Sequence, residues 1–187
     1  MPSKMKKEEL NKLKGMKDSV VIAVIAAKKY QEVNSNIVKY LTRDIKIPGV
    51  YVTLNKPFSQ MKSIFDKANV DTKLILFIDA ITKTAGGETK KTKECLYIGT
   101  PENLSDISLA MDQAVTSLPG KEKFLFFDSL NTLIIYNDVK TVARFIHFLA
   151  GKMRIWKVRG IIVSLQKKGN EELINELTQF CDMRLNL

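Results

Sequence analysis

Two aspartates close apolar runs and are the first candidates for chemistry. Asp79 ends the run that begins at Leu74, and Asp128 ends the run that begins at Phe124. If both runs are parallel strands, their carboxyl ends meet at one edge of a sheet, where ligands bind in open α/β folds. Two carboxylates at that edge can hold a metal ion or share acid–base work. An aspartate there is also a common turn or helix cap, and the sequence favours that role and no metal site.

Few other residues offer catalytic or metal chemistry. His147 is the single histidine, and the two cysteines, Cys95 and Cys181, lie far apart in the sequence. A zinc site built from cysteine and histidine is therefore not available. Ser129 and His147 would be the members of a nucleophile pair, but His147 falls outside the main apolar stripe of its helix and is expected on the surface. We expect both cysteines to be buried structural thiols.

Apolar runs alternate with helical periodicities, and these elements must position the candidate residues. Continuous β-branched or aromatic runs are typical of strands buried on both faces, and they lie at 19–26, 50–54, 74–79, 124–128 and 160–165, with shorter candidates at 95–98 and 183–187. Helical spacing predicts helices at 33–41, 57–68, 103–115, 138–156 and 171–180. The alternation predicts an α/β three-layer sandwich with a mainly parallel central sheet. We expect a single domain at 19–187 after a polar N-terminal arm or helix at 1–18.

The ordered set of segments resembles the KaiC-like branch of the RecA-superfamily ATPases. The segment Gly49–Leu54 is similar to that family's second strand, Leu74–Ala80 to its next strand, and Phe124–Leu130 to its Walker B strand. The long helix and the strand after it continue the match. The resemblance implies a RecA-like P-loop NTPase fold for residues 19–187. It also places Asp128 at the position that orients Mg²⁺ in active relatives.

The same resemblance reveals two losses at the expected nucleotide crevice. The family's phosphate loop is Gly-x4-Gly-Lys-Ser/Thr, whose glycines let backbone N–H groups cradle phosphates. Here the first strand is followed by Ala26–Ser35, which contains no glycine, and Lys28 and Lys29 come too early to replace the loop lysine. After the second strand, Asn55 and Lys56 stand where the family carries acidic residues, and neither is a general base near neutral pH. The sequence therefore predicts a degenerate crevice, without a cofactor, that contains Lys28, Lys29, Asn55, Asp79, Asp128 and Ser129.

The net charge of +10 favours an anionic partner, and nucleic acid is one candidate. Much of the excess lies at 4–17 and in the loop at 83–93, but that loop lacks the interleaved aromatic residues of a base-stacking surface. Scattered lysine also fits solubility or thermostability. No run reaches the roughly 18 apolar residues of a membrane span, and the charged N-terminus does not resemble a secretion signal. We therefore expect a cytoplasmic protein without a membrane partner, and the degenerate family form indicates an archaeal origin.

A second apolar face marks the helix predicted at 138–156. Phe148 and Ile155 are seven residues apart and share a face, which lies more than a quarter turn from the main apolar stripe. This face is either covered within the domain or a surface for a protein partner or a second copy. The sequence therefore favours a non-catalytic pseudo-ATPase that acts as a regulatory or protein-interaction module. Two alternatives stay open: a weak or atypical ATP-binding or ATP-hydrolysing protein, and a basic nucleic-acid-binding protein.

Overall fold

The apolar runs form one seven-stranded sheet. The computed structural model of the chain describes residues 12, 13, 15, 17–167, 169 and 171–187. The strands are β1 Val20–Ile25, β2 Gly49–Thr53, β3 Ile75–Asp79, β4 Cys95–Tyr97, β5 Phe124–Asp128, β6 Arg159–Leu165 and β7 Met183–Asn186. Every neighbouring pair is parallel, in the order β4-β3-β2-β5-β6-β1-β7. The central strands are buried along almost their whole length, as a sheet covered on both faces requires.

Helices cover both faces of this sheet. Two pack on one face, namely α1 Tyr30–Lys39, which continues as a π-helical turn over Tyr40–Asp44, and α2 Phe58–Lys67. Four pack on the other face, namely α3 Leu104–Ser117, α4 Leu130–Tyr136, α5 Val139–Ile155 and α6 Glu171–Thr178. Each face of the sheet therefore has its own apolar core. This arrangement confirms the predicted three-layer α/β sandwich, and the sheet is parallel throughout.

Local side-chain chemistry fixes where the helices begin and how closely the strands approach. Asp138 caps α5, since its Oδ1 accepts a hydrogen bond from the Thr141 backbone N–H at 2.9 Å. Asn103 caps α3 in the same way, accepting from the Asp106 N–H at 3.1 Å. Gly49 opens β2 against the ring of Phe124, where an added Cβ would lie 2.2 Å from a ring carbon. Only glycine fits at that point.

The structure differs from the sequence prediction at two places, both in the helices. α1 begins at Tyr30 rather than at residue 33, because a 3-10 turn at Ala27–Lys29 leads into it directly. α4 was not predicted, since its seven residues are too few to show a clear helical period. The predicted arm or helix at 1–18 lies mostly outside the described residues. Within it, Leu13 is buried, and its carbonyl accepts a hydrogen bond from Arg159 Nη1 at 3.3 Å.

Candidate functional site

The carboxyl ends of the strands bring part of the predicted crevice together. Lys28 and Lys29 lie in the exposed turn after β1. Asn55 follows β2, and Asp128 ends β5 with Ser129 next to it. The Asn55 side-chain amide Nδ2 lies 3.4 Å from Asp128 Oδ1 and 3.2 Å from Ser129 Oγ. The described contacts therefore join Asn55, Asp128 and Ser129 in one cluster, while the two lysines stay outside it.

Asp128 is buried, and tyrosine hydroxyls cover both of its carboxylate oxygens. Tyr51 Oη donates to Asp128 Oδ2 at 2.5 Å, and Tyr30 Oη donates to Asp128 Oδ1. Side chains alternate along a strand, so Asp128 points to the same face as Phe126, below α1 and α2. Tyr51 is held there because its ring stacks on Phe126 at 5.0 Å and meets Phe65 edge-on at 5.0 Å. Tyr30 reaches the same carboxylate from the first turn of α1.

Burial dominates the electrostatics of this cluster. It raises the pKa of Asp128 above its usual value, although the hydroxyls of Tyr30 and Tyr51 and the charge of Lys56 favour the carboxylate form and lower that pKa. Burial, followed by repulsion from the Asp128 carboxylate, also raises the pKa values of Tyr30 and Tyr51 well above 10. Both tyrosines therefore stay protonated near neutral pH and remain hydrogen-bond donors to Asp128.

Asn55 links the aspartate to neighbouring hydroxyls. Its Nδ2 also lies 3.0 Å from Tyr30 Oη, and its Oδ1 accepts a hydrogen bond from Thr132 Oγ1. Asn34 of α1 is buried at the edge of the same cluster. Its side chain lies close enough to the hydroxyls of Tyr30 and Tyr51 to lower their pKa values, but no hydrogen bond of ordinary geometry joins either of its polar atoms to a described residue. The cluster is thus a network of neutral donors around one carboxylate, and its members include no second acid and no histidine.

Asp79 belongs to a different arrangement. Its carboxylate accepts hydrogen bonds from the backbone N–H groups of Phe58 at 2.7 Å, Ile81 at 2.9 Å and Thr82 at 2.8 Å, and from Thr82 Oγ1 at 2.5 Å. It therefore ties the start of α2 to the turn after β3. Strand β2 separates it from Asp128, which puts the two backbones about 10 Å apart at about 4.8 Å per strand. The structure does not bring the two carboxylates together.

No group of three or more metal-ligating side chains occurs in the part of the chain that the structure describes. Ser129 is buried at the end of β5, whereas His147 is exposed on α5, where its ring lies 4.4 Å from that of Phe180. These two residues share no hydrogen bond, so they do not form a nucleophile pair. Cys95 is buried and Cys181 half-buried, and burial raises their thiol pKa values to about 12 and about 11. Neither thiol is a reactive thiolate near neutral pH.

A polar pocket of about 410 Å³ lies at the carboxyl ends of β1 and β7. Lys29, Lys167 and Arg184 line it together with Glu171. The Arg184 guanidinium is held by amide oxygens, since Nη1 donates to Asn175 Oδ1 at 2.8 Å and Nε donates to Asn186 Oδ1 at 3.1 Å. None of the three cations forms an ion pair with a carboxylate of the described chain. The pocket therefore offers positive charge that the described side chains leave unpaired.

An apolar groove of about 520 Å³ runs between α3 and α5 on the opposite face of the sheet from Asp128's side chain. Phe148 is 48% exposed and lines this groove, and Leu109 of α3 is 59% exposed and lies across from it. Ile155 is 75% exposed and lies about two helical turns beyond Phe148 along α5. The second apolar face predicted from the sequence, which carries Phe148 and Ile155, is thus open to solvent rather than covered by the described chain.

Sequence reasoning missed Tyr30, Tyr51 and Asn34. Tyr51 was one apolar residue of a strand, and nothing in the sequence connected its hydroxyl with an aspartate 77 positions away. Tyr30 carried a usable signal, because it follows the first strand at the point where the phosphate loop of the resembled family begins. A large aromatic side chain in that place predicts that the space is filled.

Most of the chain matches the model of one known protein family. One family model, described as "Family of unknown function (DUF7504)", matches residues 49–187, from β2 to the end of the chain. The chain belongs to the DUF7504 family. No curated protein matches this DUF7504 chain significantly.

Two solved structures with the same fold come from the archaeon Pyrococcus horikoshii. A KaiC-like protein of strain OT3 superposes with a TM-score of 0.64 at 11% identity, over 91% of this chain and 72% of its own. An uncharacterized protein, solved in complex with an unknown peptide, superposes with a TM-score of 0.68 at 15% identity, over 96% of this chain and 82% of its own. These similarities support the RecA-like fold of the DUF7504 chain and, at such low identity, nothing finer. No helix within the described ranges has the length and apolar character needed to cross a membrane.

Proposed function

We propose that this DUF7504 chain is a pseudo-ATPase, a non-catalytic RecA-like domain that works by binding a protein partner. The observation that carries the proposal is the covering of Asp128 by Tyr30 and Tyr51. In an active relative this carboxylate would face Mg²⁺ or its water shell. Here both oxygens already accept hydrogen bonds, and one donor comes from the segment where a phosphate loop would start.

Releasing Asp128 for a metal ion would be costly. Each hydrogen bond to a charged group contributes about 1.5–3 kcal/mol, and the displaced hydroxyl would lose its partner inside the protein. The ring of Tyr51 cannot move away without disturbing its contacts with Phe65 and Phe126. The backbone after β1 also lacks the glycines that a phosphate cradle needs. These costs support weak or absent binding of Mg²⁺–ATP at the crevice.

The open groove between α3 and α5 supports the second half of the proposal. Leu109 and Phe148 line the groove and expose large apolar surfaces, and Ile155 is exposed outside the groove on the same helix as Phe148. Exposed apolar surface of this kind often marks a contact with another protein. A protein of the same fold has been solved in complex with an unknown peptide. That neighbour supports the proposal because a protein with this fold can hold a peptide.

Calorimetric titration with Mg²⁺–ATP tests the proposal. We expect no binding heat for the wild type at millimolar nucleotide, and none for Tyr30→Phe, because Tyr51 still covers Asp128. Tyr40→Phe is a matched control, since Tyr40 is buried near the same helix and its hydroxyl makes no hydrogen bond within the described chain. Micromolar Mg²⁺-dependent binding by the wild type that is lost in Asp128→Asn would overturn the proposal.

The cationic pocket favours a second candidate function, the binding of an anionic small molecule without turnover. Lys29, Lys167 and Arg184 would attract a phosphate or carboxylate group, and the volume suits a ligand of nucleotide size. Binding here would not need Mg²⁺, because Asp128 does not line the pocket. Thermal-shift measurements with ATP and EDTA test this candidate. Stabilisation that is absent in Arg184→Gln but kept in the control Arg43→Gln, an exposed residue outside the pocket, would favour it, and no stabilisation would reject it.

A further inference from the structure

The exposed apolar surface of the α3–α5 groove is concentrated where the two helices lie level with each other. Leu109 and Phe148 are on opposite walls, and Phe145 forms part of the floor. Asp112 accepts hydrogen bonds from Lys152 Nζ at 3.1 Å and from the Trp156 indole at 3.0 Å, which holds the two helices side by side. Leu109 precedes Asp112 by three residues, and Phe148 precedes Lys152 by four and Trp156 by eight. At 1.5 Å per residue, Leu109 and Phe148 therefore lie within about 8 Å of the same level, roughly one and a half helical turns.

The two helices that form the groove carry opposite charge. The only charged residues of α3 are acidic, and the charged residues of α5 are all basic: Asp106 and Asp112 on α3, and Lys140, Arg144, Lys152 and Arg154 on α5. Only Asp112 and Lys152 pair with each other across the groove. A surface of this kind is complementary to itself, because the acidic helix of one copy fits the basic helix of another.

We propose that the α3–α5 groove binds the α3–α5 groove of a second copy, so that the chain forms a two-fold symmetric dimer. The inference rests on the proposed function in one respect: it names the partner that the binding module takes. Both helices run back from the carboxyl edge of a parallel sheet, so they point the same way. This leaves two face-to-face arrangements, which differ in the direction of the two-fold axis.

The charges select one of these arrangements. An axis across the helices would place α3 on α3 and α5 on α5, with like charges facing each other. An axis along the groove instead places α3 of one copy on α5 of the other and preserves the level of every residue. Leu109 then packs near Phe148 of the partner subunit. Asp106 comes within reach of Arg144 of the partner subunit, because both residues are exposed beside the groove, although neither lines it. The contact occurs twice, once on each side of the axis.

The net charge of the chain works against this assembly and makes it salt-dependent. Two copies that each carry +10 repel one another at long range. Raising the salt from about 0.1 M to about 0.5 M shortens the screening length from about 10 Å to about 4 Å, which weakens that repulsion. The apolar contacts are not screened, and the exposed Asp106–Arg144 pairs, which salt also screens, contribute little to the affinity. The loss of repulsion therefore dominates, and the dimer strengthens over this range.

Sedimentation equilibrium of the full chain at high micromolar concentration tests the dimer at both salt concentrations. We expect the wild type to dimerise more tightly at the higher salt. Phe148→Glu and Leu109→Glu should each weaken the dimer about tenfold or more, as central apolar contacts do. Ile135→Glu is the control, because Ile135 is 76% exposed on α4 and does not line the groove. Circular dichroism confirms that each variant remains folded.

A charge reversal distinguishes the proposed axis from other contacts. Arg144→Glu and Asp106→Lys each place like charges opposite one another and should weaken the dimer. The double variant restores both the pairing and the wild-type net charge of +10, and should restore dimerisation. A double variant no tighter than the single variants overturns the proposed axis. A wild type that stays monomeric at both salt concentrations overturns the proposal and leaves the groove to a different protein. Nucleotide hydrolysis by a chain that still dimerises would refute the proposed function alone.

Discussion

Tyr51→Phe is the most informative perturbation of the Asp128 cluster. It removes a donor that lies 2.5 Å from Asp128 Oδ2 and leaves the rest of the packed ring in place. A hydrogen bond to a buried carboxylate contributes about 1.5–3 kcal/mol, and one to a neutral carboxyl about 0.5–1.5 kcal/mol. We therefore expect Tyr51→Phe to lower the free energy of unfolding by about 1.5–3 kcal/mol at pH 8. For a chain of this size that corresponds to roughly 2–4 °C in Tm per kcal/mol.

The cost of Tyr51→Phe should change with pH, and the pKa of Asp128 determines the direction of the change. Burial raises the pKa of Asp128 in the folded protein above the 3.8 of a free side chain. Between these two pKa values the folded state binds more protons than the unfolded state, so the free energy of unfolding falls as pH rises. Removing Tyr51 Oη raises the pKa of Asp128 in the folded protein further, so the free energy of unfolding continues to fall up to a higher pH. The cost of Tyr51→Phe should therefore be smaller at acidic pH, where Asp128 is protonated.

Urea unfolding followed by circular dichroism measures these differences from the transition midpoint at a constant m-value. Tyr40→Phe is the matched control and should cost less than about 0.5 kcal/mol, the usual range for a change that breaks no specific interaction. In an Asp128→Asn background, Tyr51→Phe should lose its pH dependence. A cost at pH 8 no greater than that of Tyr40→Phe would refute the reasoning about the covered carboxylate.

Three further predictions follow from other parts of the molecule. Asp79→Asn should lower the free energy of unfolding by about 2–4 kcal/mol in urea titrations, because the amide cannot accept all four hydrogen bonds. The exposed change Asp44→Asn should cost under about 0.5 kcal/mol, and equal costs would contradict the capping role. The segment 82–94 should exchange its amide hydrogens faster than any other internal segment, because it is lysine-rich and forms no regular helix or strand. Strong protection throughout this segment in hydrogen-exchange mass spectrometry would contradict the prediction. Binding of single-stranded DNA, measured by fluorescence anisotropy, should be weak. Tight binding that falls steeply between about 0.05 M and 0.2 M salt would favour the nucleic-acid alternative.

The sequence was most informative where backbone pattern alone determines the structure. The runs at 124–128 and 160–165 formed buried parallel strands because continuous apolar, β-branched or aromatic residues suit a sheet covered on both faces. The helix predicted at 138–156 appears as α5 with Asp138 as its cap. The seven-residue spacing of Phe148 and Ile155 also identified a separate face, which the structure leaves exposed. Periodicity is a local property, so it can be read without knowing the fold.

The candidate site was less accessible to sequence reasoning, because its contacts join distant positions. Tyr30 and Tyr51 meet Asp128 across 98 and 77 residues, and hydroxyl direction depends on the face of the sheet on which each side chain lies. Leu109 was hidden for a different reason. It lies beside Ala110 and Met111 in an apolar stretch of α3, where the period does not separate the buried residues from the exposed one. The Asp128 cluster and the α3–α5 groove are both defined by which side chains lie close together, and residue types alone do not show this.

Steady-state ATP hydrolysis by purified wild type and Asp128→Asn tests the central claim most directly. The covered carboxylate and the absence of glycine in Ala26–Ser35 predict that neither protein releases phosphate above the rate of a protein-free control with Mg²⁺ present. Phosphate release by the wild type that disappears in Asp128→Asn would contradict the account, because it would show that Asp128 is free to act on a metal-bound nucleotide.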